Sequence, residues 1–360
     1  MQPVIVSSFE GDAHAGAVLW GLDAIGETAM LWQPHLFPAH AALSIGFEPG
    51  EAVRHEAAGR GALPHEPPKT VWLRRSRSPQ LADAVDPRDR DFAQGESDQH
   101  LDAFLTTAWQ DAFWVNPPAA ARFDTNKPLQ IALARAAGFA VPPTLFTNDP
   151  EEVRAFFERH RGNIVYKSYR PERWHDEGGA APLVNHTAPV SQADLDARDA
   201  LAMCPGIFQA RVPKGFELRV TIMGATSFCA RVEAPAAGGG AVDFRSGYAS
   251  LRIAPFDLDD ATAAKCRALM LQAGLVFACF DFIVTPGGEL FFLEVNPMGQ
   301  FLWQEERCPD LPLLDAFCGF LASGDAGFAW RPSASPLRWA DYVASMHRHC
   351  GHAHHRETAA

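Results

Sequence analysis

Asp281, Glu294 and Asn296 are the residues of this 360-residue chain whose types and spacing best suit chemistry. Each sits in an apolar run, Cys279-Phe280-Asp281-Phe282-Ile283-Val284-Thr285 or Phe291-Phe292-Leu293-Glu294-Val295-Asn296-Pro297. Pro286-Gly287-Gly288-Glu289 between them is a turn signal, so the two runs read as a β-hairpin. If Thr285 pairs with Leu290 across that loop, Asp281 falls directly opposite Glu294. Side chains alternate along a strand, which puts Asp281, Glu294 and Asn296 on one face. Phe280, Phe282, Val284, Phe291, Leu293 and Val295 take the other face and suit a core. Opposed residues have Cβ atoms about 4.5–5.5 Å apart, and like charges there repel. A cation between them reverses the sign. Two carboxylates and an amide oxygen are hard donors, suited to Mg²⁺ shared with the phosphates of a nucleotide. The alternative is a hairpin whose acids merely face water; the apolar reverse side favours the metal.

A triphosphate needs cations as well as a metal. Lys127, Lys167, Arg219, Arg231 and Arg245 are the candidates. Lys127 falls in the first turn of a helix predicted over 126–137, capped by Asp124 or Thr125 and followed by Gly138. Lys167 ends a strand, Ile164-Val165-Tyr166-Lys167. From Phe216 to Met223 the chain alternates, with Phe216, Leu218, Val220 and Ile222 on one side and Glu217, Arg219, Thr221 and Met223 on the other. A three-residue turn over Gly224-Ala225-Thr226 would set Arg219 opposite Arg231, two guanidinium groups that call for an anion. A two-residue turn would part them. Any lone Lys or Arg is more often a surface ion pair.

The elements that must position these groups read as α/β, with α+β character in the second half. Val4-Ile5-Val6 and Thr70-Val71-Trp72-Leu73 are short buried strands of a small α/β domain over residues 1–118. Helix and strand signals follow over 119–205, antiparallel β over 206–325, and a helix with a His-rich tail over 326–360. Asp86 to Gln99 reads as a solvated stretch, Leu101 to Phe113 as a helix, and Tyr169 to Thr187 as a loop in which His175 and His186 could meet substrate. Trp339, Tyr342, Val343 and Met346 form a helical stripe suited to core packing, a homodimer contact or a peptide-docking surface. His347, His349, Cys350, His352, His354 and His355 read as a mobile tail or a metal site.

Composition narrows the classes. Hydrophobic residues make up 47% and charged residues 21%, as in a soluble globular chain. The net charge of −12 argues against bulk binding of nucleic acid or of an anionic membrane. Seven scattered cysteines with no Cys-x-x-Cys pair suggest neither a disulfide framework nor a zinc site. No apolar stretch reaches the roughly 18 residues of a membrane span, so a reducing cytoplasm is the expected compartment.

Several segments in order carry a family resemblance. Lys127, Lys167, Gln209-Ala210-Arg211-Val212, Glu217-Leu218-Arg219, Asp243-Phe244-Arg245-Ser246, Asp281 and Glu294-Val295-Asn296-Pro297 follow one another as in ATP-grasp ligases. Trp72-Leu73-Arg74-Arg75, Trp114-Val115-Asn116-Pro117, the Asn126-Lys127 pair and the stretch from Asn296 to Trp303 resemble the maturases of graspetide (microviridin-type) peptides. The resemblance implies a two-lobed ATP-grasp fold, with antiparallel sheets, behind the leading domain. It implies ATP and Mg²⁺ as cofactors and a precursor peptide, leader plus core, as partner. Lys127 and Lys167 would hold phosphates, and the backbone of Gln209, Ala210, Arg211 and Val212 would read adenine. Glu217 would lie near the ribose. Arg219, Arg231 and Arg245 would face the γ-phosphate and an acyl phosphate, and Asp281, Glu294 and Asn296 would hold the metal. One departure is visible: the flap position, Ser168 to Glu177, lacks a glycine run. Two other functions stay open, a ligase joining a small carboxylate to an amino acid and a non-catalytic peptide-binding protein on the same scaffold.

Overall fold

The structure, a computed structural model, describes residues 2–49, 53–59, 63, 67–75, 77–169, 173–174, 183–184, 187–234 and 251–347. Arg245, His175, His186 and the tail from His349 onward lie outside the described residues.

The leading unit runs β1 (Val4–Ser7), α1 (Ala13–Ala24), β2 (Ala29–Trp32), β3 (Ala41–Gly46), β4 (Arg54–Gly59), β5 (Thr70–Leu73), α2 (Arg90–Thr107) and β6 (Phe113–Val115). Four of its strands form a parallel sheet in the order β2-β1-β5-β6, while β3 and β4 make a separate hairpin. Such short, mainly apolar strands, with every residue of β1 and β5 buried, suit a sheet covered on both faces. Helix α2 starts at Arg90, well before the expected Leu101. Its early turns are polar all round, with Phe92 73% exposed, so no apolar period announces them.

A second unit contains α3 (Pro118–Ala121), α4 (Lys127–Ala136), β7 (Thr144–Thr147), α5 (Pro150–Arg159), β8 (Ile164–Lys167), β9 (Arg173–Trp174), β10 (Leu183–Val184), β11 (Ala188–Pro189), α6 (Gln192–Asp196), α7 (Arg198–Met203) and β12 (Gly206–Ala210). Its four-stranded antiparallel sheet has the order β11-β8-β12-β7. The cap of α4 is Asn126, not Asp124 or Thr125; its side chain accepts from the Leu129 amide. Strands β9 and β10 pair within the stretch read as loop.

The third unit holds β13 (Phe216–Met223), β14 (Thr226–Glu233), β15 (Arg252–Pro255), α8 (Asp260–Ala273), β16 (Phe277–Val284), β17 (Leu290–Asn296), α9 (Leu302–Arg307) and α10 (Leu313–Ser323). Its five-stranded antiparallel sheet runs β15-β14-β13-β16-β17. One face, with Leu218, Val220, Ile222, Phe280 and Phe282, packs on Cys266, Leu269 and Met270 of α8. On the other side, Phe277, Phe301, Phe317 and Phe320 share a core with Val4, Val6, Val18 and Trp72 of the leading unit. Trp339 and Tyr342 of the C-terminal stripe pack on that core, whereas Met346 is 48% exposed.

Two registers decide the site. In the β16–β17 hairpin Asp281 does lie opposite Glu294. The route differs from the expected one. Val284, not Thr285, pairs with Leu290, which lengthens the turn by one residue. Leu293 is then the extra residue of a β-bulge between the Phe282–Phe292 and Asp281–Glu294 pairs. The two departures cancel at the carboxylates. They do not cancel nearer the turn, where Phe292 is buried while Phe291 and Leu293 are half-buried.

The other register corrects an expectation. Met223 pairs with Thr226 across a two-residue Gly224-Ala225 turn, with Gly224 at φ +59°. Glycine tolerates that left-handed backbone, which two-residue hairpin turns require. Arg219 is therefore opposite Ala230, and Arg231 is opposite Leu218 on the reverse face.

Candidate active site

Helix α4 brings the first cation to the hairpin. Gln130, 1% exposed, donates to Val295 O (3.0 Å) and accepts from the Val295 amide (3.0 Å), so its side chain occupies the open edge of β17. One turn earlier, Lys127 Nζ reaches Glu294 Oε2 at 2.9 Å. Burial pushes the Lys127 ammonium toward neutrality, but Glu294, Asp124 and Asp281 outweigh it and hold its pKa above the ordinary lysine value. Asp124 sits beside this pair, its pKa raised by burial and by Glu294 against the pull of Lys127.

Next to it lies a buried guanidinium–carboxylate pair. Arg219 donates through Nη1 to Asp281 Oδ2 and through Nη2 to Gln300 O (3.2 Å). Burial opposes the Arg219 charge, yet Asp281 more than offsets it and its pKa is raised. Asn296 Nδ2 donates to the same Oδ2 at 2.8 Å. The Arg219 and Asp281 side chains are 9% and 12% exposed, against 33% for Glu294, so the cluster opens on its Glu294 side.

The chain that follows Asn296 is hung on side chains from distant elements. Asn116 donates to Pro297 O (2.7 Å) and Phe277 O (2.8 Å) and accepts from the Val276 and Phe277 amides. Arg74 Nη1 approaches Met298 O at 3.4 Å. Gln300 O accepts from Arg219 and from Trp303 Nε1. His14 Nε2 accepts from the Phe301 and Leu302 amides at 3.2 and 3.1 Å. The Trp72, Trp114 and Asn296 motifs, far apart in sequence, thus converge on one loop. Sequence reading missed His14, Asp12 and Gln130 altogether. The Asp12-x-His14 cap and a polar residue inside the α4 period were the available signals.

The remaining expected residues form separate groups. On the smaller sheet Lys167 Nζ donates to Gln209 Oε1 (2.8 Å), and Gln209 Nε2 donates to Thr144 Oγ1 (2.9 Å). The Ala210 and Arg211 amides are engaged by Pro143 O and Asn163 O at 2.8 and 2.9 Å, so among those two residues no backbone donor is left for a base. Val212 follows them without a strand partner. Glu217, on the Arg219 face, accepts from Lys214 at 2.6 Å. Arg231 does not join Arg219: it pairs with Glu233 and lies over the Phe216 ring, 3.9 Å from its centre.

The donor set fits magnesium. Asp281 and Glu294 offer hard oxygens from adjacent strands, and Mg²⁺ takes one or two carboxylates plus phosphate oxygens. Two cations, Arg219 and Lys127, already sit on these acids, as a site of excess negative charge requires. Asn296 presents its amide nitrogen to Asp281, which leaves its oxygen as the atom that could ligate. No group of three His, Cys, Asp or Glu side chains suited to a metal occurs among the described residues.

The fold is that of the ATP-grasp ligases. The chain is similar over 89% of its length to the macrocyclase MdnC of Microcystis aeruginosa MRC, solved with the precursor peptide MdnA (28% identity, all of that chain, TM-score 0.77). It is similar over 89% to the macrocyclase MdnB of the same strain (29% identity, 99% of that chain, TM-score 0.73). It is similar over 90% to the ATP-grasp ligase PsnB, solved with a phosphomimetic variant of a minimal precursor, Mg and ADP (25% identity, 98% of that chain, TM-score 0.71). No protein-family model and no curated protein matches the sequence. The chain has the fold of the ATP-grasp ligases. Within that class its resemblance is to the graspetide macrocyclases, as the sequence motifs implied. Among the described residues no helix is long and apolar enough to cross a membrane.

Proposed function

We propose that this protein uses ATP to join side chains of a ribosomal precursor peptide, leader plus core, through ester or amide bonds, in the cytoplasm. The observation that carries the reading is the Asp281–Glu294 pair, opposed across one ladder and flanked by Arg219 and Lys127, in a fold shared with peptide macrocyclases. A peptide carboxylate is a poor electrophile. Its oxygen attacks the γ-phosphorus of ATP as the bond to ADP breaks, giving an acyl phosphate. A hydroxyl or amine of the same peptide then attacks the acyl carbon, loses its proton and expels phosphate.

The chain's own residues supply charge and orientation for both steps. Asp281, Glu294 and Asn296 would hold magnesium, which when bound offsets negative charge on the phosphates. Lys127 stands beside these acids, where the terminal phosphates would lie. Lys167, tied to Gln209 on the smaller sheet, serves the inner phosphates. Val212 supplies the base-reading backbone, since the Ala210 and Arg211 amides are engaged. Glu217 takes the ribose end. Arg219 faces the γ-phosphate and the acyl phosphate, the role that the sequence resemblance also implies for Arg245. Arg231 has no part in this scheme, because it lies on the reverse face.

The test is to incubate the protein with ATP, Mg²⁺ and the products of short reading frames neighbouring its own. Loss of one water mass per bond, with matching ADP release, is expected. ADP release with free amino acids and no peptide would favour the small-carboxylate ligase instead.

A further inference from the structure

We propose that His14, in the leading unit, is a positioning residue of the nucleotide–metal site, acting through the Phe301 and Leu302 amides on the chain that follows Asn296. The inference rests on the ligase reading above.

The chemistry of the contact fixes the ring. Backbone amides only donate, so Nε2 carries a lone pair and the proton is on Nδ1. The environment keeps it so: burial and the Arg74 charge depress the His14 pKa to about 3, against the raising effect of Asp12. Asp12 caps α1 through the His14 amide, which sets where the ring leaves the helix. The ring also meets Phe301 edge-on, with centroids 5.6 Å apart.

The loop it holds cannot easily hold itself. Between Asn296 and Leu302 the one internal backbone bond is Gly299 N to Asn296 O at 3.3 Å. Gly299 has φ +47°, and a Cβ there would fall 2.7 Å from the Phe277 ring, so the loop lies against the core with no slack. Phe301 and Leu302 are fully buried, and no water can replace a missing acceptor for their amides. Removing the His14 lone pair would leave two buried donors unmet. The adjacent residue, Gln300, holds Arg219 by its carbonyl, and Asn296 holds Asp281, so a shift is felt at both.

The experiment compares His14→Phe, which keeps a ring and removes the acceptor, with His14→Gln, which restores one. Affinities for Mg·ADP and for ADP in a chelator are read by calorimetry on the full-length protein. We expect His14→Phe to weaken Mg·ADP roughly tenfold or more and ADP alone by no more than about twofold, with His14→Gln recovering most of the loss. Unchanged Mg·ADP affinity in His14→Phe, or an equal loss of ADP alone, would overturn the proposal. Wild-type protein that takes up no Mg·ADP at all would overturn the ligase reading and this inference together. A second measurement needs no variant. In ¹⁵N-histidine-labelled wild type, His14 should show a neutral ring protonated at Nδ1 at pH 7, with slowly exchanging Phe301 and Leu302 amides. A ring protonated at Nε2, or fast exchange at both amides, would also refute it.

Discussion

Two buried arginines reach the same loop from different sheets, and they are built differently. Arg219 on β13 binds Asp281 and the Gln300 carbonyl; Arg74, just past β5, approaches Asp12 at 3.5 Å and the Met298 carbonyl at 3.4 Å. In each guanidinium Nε is buried without a hydrogen bond. The electrostatics diverge. Asp281 outweighs burial and keeps the Arg219 pKa raised, whereas burial and Arg75 depress that of Arg74 to about 10 despite Asp12. The Asp12 carboxyl is nonetheless held low, against burial, by Arg74, Ser8 and His14. Asp281 is shared among Arg219, Asn296 and an opposed Glu294, an arrangement that a divalent cation would complete. Asp12 is shared with a hydroxyl and a helix amide, which leaves it nothing further to bind. One pair is poised for a ligand and the other is a fastening.

The sharpest way to break this contrast is to remove the acids that face each other. Asp281→Asn combined with Glu294→Gln should cut peptide-dependent ADP release roughly a thousandfold while the fold persists by circular dichroism. Turnover near the wild-type rate would end the metal assignment. Next come the arginines, compared by urea denaturation. Arg219→Met removes the cation from the buried Asp281 carboxylate and should cost roughly 3–5 kcal/mol. Arg74→Met should cost less, roughly 1–3 kcal/mol, because Asp12 keeps the Ser8 hydroxyl and the His14 amide. The reverse order would erase the distinction drawn above. Lys127→Met should raise the KM for Mg·ATP about tenfold, a loss visible in steady-state kinetics.

The smallest effect is in the pH dependence of stability. Folded His14 stays neutral down to about pH 3, while in the unfolded chain it takes a proton near 6.5. The unfolded state therefore binds more protons between those values, and stability falls as pH drops through that window. The slope from this residue is at most about 1.4 kcal/mol per pH unit. His14→Gln should flatten it in urea melts between pH 6 and 4, and an unchanged slope would assign it elsewhere.

Much of this was legible in the sequence, for reasons that differ by residue. Strand alternation placed Glu294 and Asn296 on one face because a period of two needs no tertiary knowledge, whereas Asp281 joins them only because the longer turn and the Leu293 bulge cancel. The small α/β sheet and the antiparallel sheets follow from apolar runs and turn residues. Register across a turn is another matter, since one residue decides it: Gly224 allowed the tighter turn that parts Arg231 from Arg219. The early part of α2 was silent because its polar surface has no apolar period to read. His14 and Gln130 were hidden because their partners are backbone groups 287 and 165 positions away, and backbone leaves no mark in composition.

Leu293 is what keeps the acid on its side. Were it paired instead of bulged, with the turn unchanged, it would face Asp281, and Glu294 would sit across from Phe280, pointing an acid at the phenylalanines packed on α8. Deleting Leu293 should therefore leave Glu294 across from Asp281 and spare metal binding, because Glu294 already takes the ladder position after Phe292. The spare residue absorbs a length change that an unbulged hairpin would pass on to every later side chain.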